Sequence, residues 1–375
     1  MGGGRRGSGV TRVRPAPGPR CAGHGSGRAR RRPGPTPLGS ALEPGRRPRA
    51  GGRTAPGPGD PPVSPAASVV VPTRGGARRL PVLLAALEQQ STRDFEVVLV
   101  VDGDIDGSEE VIRSWAARGT LRLEPVVLPE NVGRAGALNA GIRAARGRVL
   151  IRCDDDLVPG PEFVAGHVRR HEGRTMAVVG PCHNVLPDTA FARSYGNAAS
   201  ERSLRAAQDC PPERVWRLWG GNVSVTSDTA RSIGPYDERY RGYGWEDVDY
   251  GFRLHSAGIP VLVAPELTTE HRMGATTTRS RTVRALHAGA ARRRFREIHG
   301  PLAEPADGGR LTPWRVSVLV TAKLVTERTL AVVCPALDAV SDRLPPWAAE
   351  KAVALLVEAA NAAGARHPRR AGSRF

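Results

Sequence analysis

The chain has 375 residues, a formal net charge of +18 and 40% hydrophobic residues. That length is enough for one large α/β core, or for two or three domains of about 100–200 residues each. A charge this high raises nucleic acid or acidic lipid as a partner, but residues 1–66 hold 13 arginines against two acids, Glu43 and Asp60, and so carry +11 of the +18. The same segment is dense in Gly and Pro and has almost no aliphatic runs, so it cannot bury enough apolar surface to offset its ordering entropy. We expect a disordered tail over 1–66, with an electrostatic tether as the alternative. The ordered part shows no DNA- or RNA-binding motif, so no specific nucleic-acid partner is expected. The tail lacks the apolar core, roughly 7–15 residues long, of a signal peptide. Five widely spaced cysteines (Cys21, Cys153, Cys182, Cys210, Cys334) form no C-x-x-C pair, so neither a zinc knuckle nor a disulfide framework is indicated, and a reducing, cytoplasmic setting is expected.

From Ser68 the texture changes. Ser68 to Val71 is a short β-branched run ended by Pro72 and reads as a buried strand. Leu80 to Gln89 has helical spacing, Phe95 to Val101 reads as a second strand, and a helix is expected around Glu109 to Ala117. Leu121 to Leu128 gives a third strand, Gly133 to Ala145 a small-residue helix, and Val149 to Cys153 a fourth strand. This alternation with short connections indicates an α/β fold with a mostly parallel sheet flanked by helices, whose ligands bind beyond the carboxyl ends of the strands. Pro181 to Leu218 is irregular and polar, with a helix expected near Tyr195 to Gln208. A strand at Asn222 to Thr226, a helix from Asp247 and a strand at Pro260 to Ala264 follow. Thr312-Pro313 looks like an N-cap and first turn opening a helix toward Val333, and Pro346 to Ala363 like another, closed by Gly364. Charges at Lys323, Glu327 and Arg328 make the first a poor membrane span. The expected organisation is a tail over 1–66, a catalytic domain over 67–303 and a helical extension over 304–375, which packs on the core or docks peripherally on a membrane or partner.

Two stretches carry chemistry. Asp154, Asp155 and Asp156 directly follow a buried strand, where like charges raise one another's pKa unless a cation relieves them. Mg²⁺ or Mn²⁺ suits such carboxylates when phosphate oxygens complete the shell. The alternative is a solvated acidic turn that caps the next helix. In Gly242-Tyr243-Gly244-Trp245-Glu246-Asp247-Val248-Asp249, glycines permit close approach of a ligand and Trp245 offers a face for a sugar ring. Its three acids also suit a helix start.

The ordered set of motifs resembles glycosyltransferase family 2, with the nucleotide-sugar-binding GT-A fold. It runs from Ser68-Val-Val-Val-Pro-Thr through Val98-Leu-Val-Val-Asp-Gly, Asn131-Val-Gly-Arg-Ala-Gly, Cys153-Asp-Asp-Asp, Gly220-Gly-Asn and Gly234-Pro-Tyr-Asp to Gly244-Trp-Glu-Asp, ending at His271. The Trp-Glu-Asp stretch is similar to the galactosyltransferase and chondroitin-synthase branches. By resemblance, Asp102 holds the base or ribose beside Pro72 and Thr73, Arg134 lies near the nucleotide, and Asn139 helps position it. Asp154 and Asp156 match the D-x-D pair, with Asp156 the direct metal ligand, and His271 matches a position that binds metal or diphosphate in some relatives. Asp155 and Trp245 are counted with the donor contacts, and Asp247 matches the catalytic base, with Glu246 beside it contacting acceptor or donor sugar.

The resemblance implies an inverting, metal-dependent transfer from a nucleotide sugar, UDP-linked in most of the family, to a saccharide or lipid-linked acceptor. Arg74-Gly75-Gly76 stands where relatives carry an aromatic and Asn, so Arg74 would offer a guanidinium face or a phosphate contact. The alternatives are a nucleotidyltransferase or an inactive nucleotide-sugar-binding protein of the same fold. Neither the donor sugar, the acceptor nor the oligomeric state is legible. Trp216, Trp219, Tyr243 and Trp245 suggest a sugar-binding surface unless they are core.

Overall fold

The computed structural model describes residues 64–272, 274–300, 303 and 311–372. Nearly all of the expected tail over 1–66 therefore lies outside the described residues. The first half alternates as expected: β1 (Ala67–Thr73), α1 (Leu80–Glu88), β2 (Phe95–Asp102), α2 (Ser108–Ala116), β3 (Leu123–Leu128), α3 (Arg134–Ala144) and β4 (Val149–Cys153). Then come β5 (Leu157–Val158), α4 (Phe163–Arg170), β6 (Ala177–Val179), β7 (Cys182–Asn184), α5 (Asn197–Gln208), β8 (Asn222–Thr226) and α6 (Ser227–Ile233). The chain continues through α7 (Glu246–Ser256), β9 (Val261–Val263), β10 (Thr269–His271), α8 (Thr278–His299), α9 (Pro313–Leu324), α10 (Glu327–Ser341) and α11 (Pro346–Arg366).

Seven strands form one sheet in the order β3-β2-β1-β4-β8-β6-β9, and β5-β10-β7 form a small second sheet. β1, β2, β3 and β4 are mutually parallel, and β8 runs antiparallel between β4 and β6. All eight residues of β2 are buried because helices cover both faces. Side-chain alternation splits the apolar residues into two layers. Val70, Val98 and Val100 pack with Leu138 of α3 on one face. Val69, Val71, Val97, Leu99 and Val101 pack with Leu83 and Leu84 of α1 and Ile112 of α2 on the other. The chain leaves β1 toward β2 and β3, then crosses back to place β4 on β1's other side. The carboxyl ends of β1 and β4 thereby open a crevice at a topological switch point.

Several boundaries differ from the sequence expectations. The third strand starts at Leu123, and a π-turn (Ala192–Gly196) precedes α5. The expected helix from Thr312 to Val333 is two helices, because Thr326 opens a new one with a reciprocal cap to Thr329. α11 runs through Gly364 to Arg366 instead of stopping there. Gly364 serves a crossing: a Cβ on it would lie 1.9 Å from the Leu286 carbonyl of α8, and one on Gly289 would lie 2.0 Å from the Asn361 carbonyl. α8 was not anticipated at all. It joins the layers, with Phe295 in the core beneath β8 and Leu286 in a third core shared with α9, α10 and α11. Among the described residues, no helix is long and apolar enough to cross a membrane.

Candidate active site

The strand ends bring the predicted residues together. β1 ends at Thr73, β2 at Asp102, and β4 delivers Asp154, Asp155 and Asp156. The Asp102 carboxylate accepts from the backbone N–H groups of Val132 (2.7 Å) and Gly133 (3.0 Å), fixing the turn that opens α3 and aims Arg134. Arg74 donates to the Asp102 carbonyl at 2.8 Å. Asp155 has both oxygens engaged, by Thr73 Oγ1 (2.5 Å) and by Arg79 Nε and Nη2 (3.0 and 2.7 Å). Burial raises its pKa against the pull of Arg79 and Thr73. Asp155 thus pins the end of β4 to the β1–α1 turn. Asp155 also lines the cavity that these strand ends surround.

Asp154 is held by Arg152 (Nε–Oδ1 2.9 Å), and its amide donates to the Gly221 carbonyl at 3.0 Å. Burial opposes its ionisation, but Arg152 and Arg134 prevail and hold the carboxyl at about 2. Asp156 Oδ2 lies 3.0 Å from His271 Nε2, and Asp156 Oδ1 is buried with no hydrogen-bond partner. His271 Nδ1 contacts Asn184 Oδ1 at 2.6 Å and must donate to it. That orphaned oxygen beside His271 fits a shared divalent cation, with Asn184 orienting the imidazole. Among the described residues, no cluster of three or more His, Cys, Asp or Glu could hold an ion alone. Substrate phosphate oxygens would supply the remaining ligands, as is usual for Mg²⁺.

The second stretch enters from α7. Trp245 sits at φ 71°, a left-handed conformation uncommon for a non-glycine residue, and this turn presents Glu246 at the helix start. Glu246 is 2% exposed, its Oε1 is 3.9 Å from Arg134, and its Oε2 has no partner. Burial, then the neighbouring Asp247, pushes its carboxyl up to about 7. Asp247 is ion-paired to Arg152, so one buried guanidinium bridges Asp154 and Asp247. Asp249 is structural, bound by His299 (2.6 Å) and Arg253 (2.9 Å).

These groups surround a cavity of about 340 Å³ whose walls include Pro72, Thr73, Asp102, Arg134, Asp154, Asp156 and Glu246. Tyr243 stands in it between two guanidiniums, Arg134 at 5.7 Å and Arg284 at 5.1 Å from its ring. Clefts of about 700 and 890 Å³ lie elsewhere, each lined by a single acid, Glu297 or Asp228, and offer no comparable chemistry.

Five residues named from the sequence are not among the cavity's lining residues. Asn139 does not reach the cavity; its amide donates to the Tyr236 carbonyl and to Glu238, and its oxygen accepts from the Tyr236 amide. Trp216 and Trp219 are core residues, 5% and 4% exposed. Trp245 packs its ring on Phe295 (5.1 Å) and is not among the cavity's lining residues. Asp247 likewise is not among them, although Glu246 is. Arg284 and Arg241 line the cavity and were missed. Arg284 lies on α8, which has no apolar stripe to announce it, and Arg241 in a loop without a motif.

Residues 68–233 match a family model described as glycosyl transferase family 2, and residues 202–275 match one described as N-terminal domain of galactosyltransferase. The validoxylamine A glucosyltransferase of Streptomyces hygroscopicus subsp. jinggangensis is 32% identical over 231 residues, 54% of each chain. An undecaprenyl-phosphate 4-deoxy-4-formamido-L-arabinose transferase of Pseudomonas fluorescens is 36% identical over 146 residues, 37% of this chain and 43% of that one. Among solved structures, a mannosyltransferase from Pyrobaculum calidifontis in complex with GDP-Man and Mn²⁺ superposes with a TM-score of 0.54 at 19% identity, covering 83% of this chain and 89% of that one. The fold is the GT-A fold of glycosyltransferases. Residues 68–233 thus carry the likeness to glycosyl transferase family 2. The chain spans about half the length of the curated relatives it matches first.

Proposed function

We propose that this protein is an inverting, metal-dependent glycosyltransferase that moves a sugar from a nucleotide sugar to a hydroxyl of a saccharide or other glycan-type acceptor. One observation carries the reading: a single cavity joins a buried, orphaned Asp156 oxygen beside His271 to a buried carboxyl, Glu246, at a helix start. Anionic diphosphate and sugar hydroxyls are what such a pairing binds. The glucosyltransferase relative and the mannosyltransferase neighbour are named for such transfers, and the latter is titled with GDP-Man and Mn²⁺. UDP sugars are the first donors to test, on the resemblance alone. A cytoplasmic setting belongs to the same proposal and is supported by Cys153, Cys182, Cys210 and Cys334 all being free.

In this reading Asp102 and Thr73 shape the nucleoside end, while Arg134 and Arg284, both near the Tyr243 ring, would meet the diphosphate. A Mn²⁺ or Mg²⁺ ion held by Asp156 and His271, near Asp154, would act as a Lewis acid on the departing diphosphate, worth several kcal/mol. Asp247 is the base by resemblance, and it is ion-paired to Arg152. A base on the acceptor side, opposite the leaving group, gives inversion. A positioned carboxylate contributes roughly 10²–10⁴-fold to such a step. The cavity lining favours a second assignment, with Glu246 taking the proton, because Glu246 and not Asp247 has a free buried oxygen there.

The test is nucleoside diphosphate release from a panel of nucleotide sugars with Mn²⁺ or Mg²⁺ and a mixed saccharide pool. Metal-dependent release from one donor, lost in Asp156→Ala, is the expected result. Asp247→Asn and Glu246→Gln then separate the two bases: the variant that abolishes transfer while keeping metal-dependent nucleotide binding identifies the proton acceptor. A folded protein that neither turns over a donor nor binds a nucleotide refutes the reading.

A further inference from the structure

Residues 311–347 hold nine of the fourteen large hydrophobic side chains exposed among the described residues. On α9, Val316, Val320 and Leu324 recur at four-residue spacing and are 46%, 55% and 72% exposed, while Val318 and Ala322 point inward. On α10, Arg328, Val332, Ala336 and Val340 form a similar exposed row, opposite the buried Leu330 and Cys334. Leu344 and Trp347 extend the exposed set beyond it. Isolated exposed apolar residues need no explanation, but a concentration like this does.

Charge identifies the occupant. The acids of this region are committed to the protein. Glu327 pairs with His287 and Asp342 with Arg193, Glu350 pairs with Arg202, Asp338 caps Thr278, and Glu358 accepts from Trp314. Three cations beside the apolar rows do the opposite. Lys323, next to Leu324, Arg328, one turn before Val332, and Arg343, next to Leu344, are exposed and have no carboxylate partner among the described residues. Apolar rows flanked by unpaired cations, with the acids of the region each engaged by a partner within the protein, complement an interface of acyl chains beneath anionic headgroups.

We propose that the outer face of α9 and α10, with Leu344 and Trp347, docks this protein on an anionic lipid bilayer. The helices lie on the surface without crossing it, since neither is long and apolar enough to span. Lys323, Arg328 and Arg343 supply the electrostatic part and Val320, Leu324, Val332 and Trp347 the inserted part.

The test uses the full-length protein in sedimentation with vesicles of phosphatidylcholine alone or mixed with phosphatidylglycerol. Binding is expected on the anionic vesicles and is expected to weaken with salt. Lys323→Gln, Arg328→Gln and Arg343→Gln should each lower the partition coefficient by about fivefold. A combined Val320→Ser, Leu324→Ser, Val332→Ser variant should lower it by roughly tenfold or more. Circular dichroism should be unchanged, since these side chains are more than half exposed. Failure of the folded wild type to sediment with anionic vesicles overturns the proposal. Wild-type binding by all the variants also overturns it, because the arginine-rich residues 1–63 would then be the anchor. A dimer that the serine variant converts to monomer, without vesicle binding, assigns the face to a second copy instead.

Discussion

At the residue scale the site rests on how one buried arginine and three aspartates divide their work. Arg152 bridges Asp154 and Asp247, Asp155 is spent on Thr73 and Arg79, and Asp156 keeps a free oxygen for a cation. Asp155→Ala should therefore act mainly on stability. It leaves Thr73 and a partly buried Arg79 without their partner, a loss of about 1–3 kcal/mol that chemical denaturation would read. Glu246 offers a pH signature. With its carboxyl raised from 4.5 to about 7, the folded chain keeps a proton that the unfolded chain has released between those values. Its contribution to stability is full below the lower value and is lost as pH rises through the higher one. Glu246→Gln removes this loss. Its stability should gain on that of wild type between about pH 5 and about pH 8, by an amount on the order of 1–3 kcal/mol that chemical denaturation across the pH range would read. A parallel pair of pH profiles would contradict the assignment. The carboxylates and His271 were legible in the sequence because they follow strands in a recognisable order. Their division of labour was not, because it depends on Arg152, Arg79 and Asn184, whose side chains carry no motif.

At the scale of elements, legibility followed burial. β1, β2 and β4 are continuous β-branched runs with every strand position except Pro72 buried, and a pattern of that kind announces itself. α8 buries Thr278, Thr282, Ala285, Leu286, His287, Gly289 and Phe295, mostly small or polar residues on an arginine-rich helix, so no apolar stripe revealed it. Its contact with α11 depends on backbone approach at Gly289 and Gly364, and Gly364 was read as a helix stop for lack of that partner. Gly364→Ala would place a methyl against the Leu286 carbonyl and force the helices apart, costing about 1–3 kcal/mol. Because α8 also carries Arg284 to the cavity, the same variant should weaken donor binding, seen as a rise in KM. Gly364→Ala with unchanged stability would contradict this account of the crossing.

For the whole molecule, the site gathers groups from β1, β2, β4, β10, α3, α7 and α8, so ligand and fold should be coupled. Mn²⁺ with a nucleoside diphosphate should raise the melting temperature, with about 2.7 kcal/mol of stabilisation when ligand is a hundredfold above its Kd. Asp156→Ala should abolish the metal-dependent part of that rise. The fold and the strand-end residues could be anticipated from sequence, whereas peripheral docking stood there only as an alternative, because the exposed apolar rows of α9 and α10 emerge only from how those helices pack. The central claim is tested most directly by metal-dependent release of nucleoside diphosphate from a panel of nucleotide sugars by the full-length protein. Release from one donor, requiring Mn²⁺ or Mg²⁺ and lost in Asp156→Ala, is the expected result. Equal release without metal, or from Asp156→Ala at the wild-type rate, would contradict it.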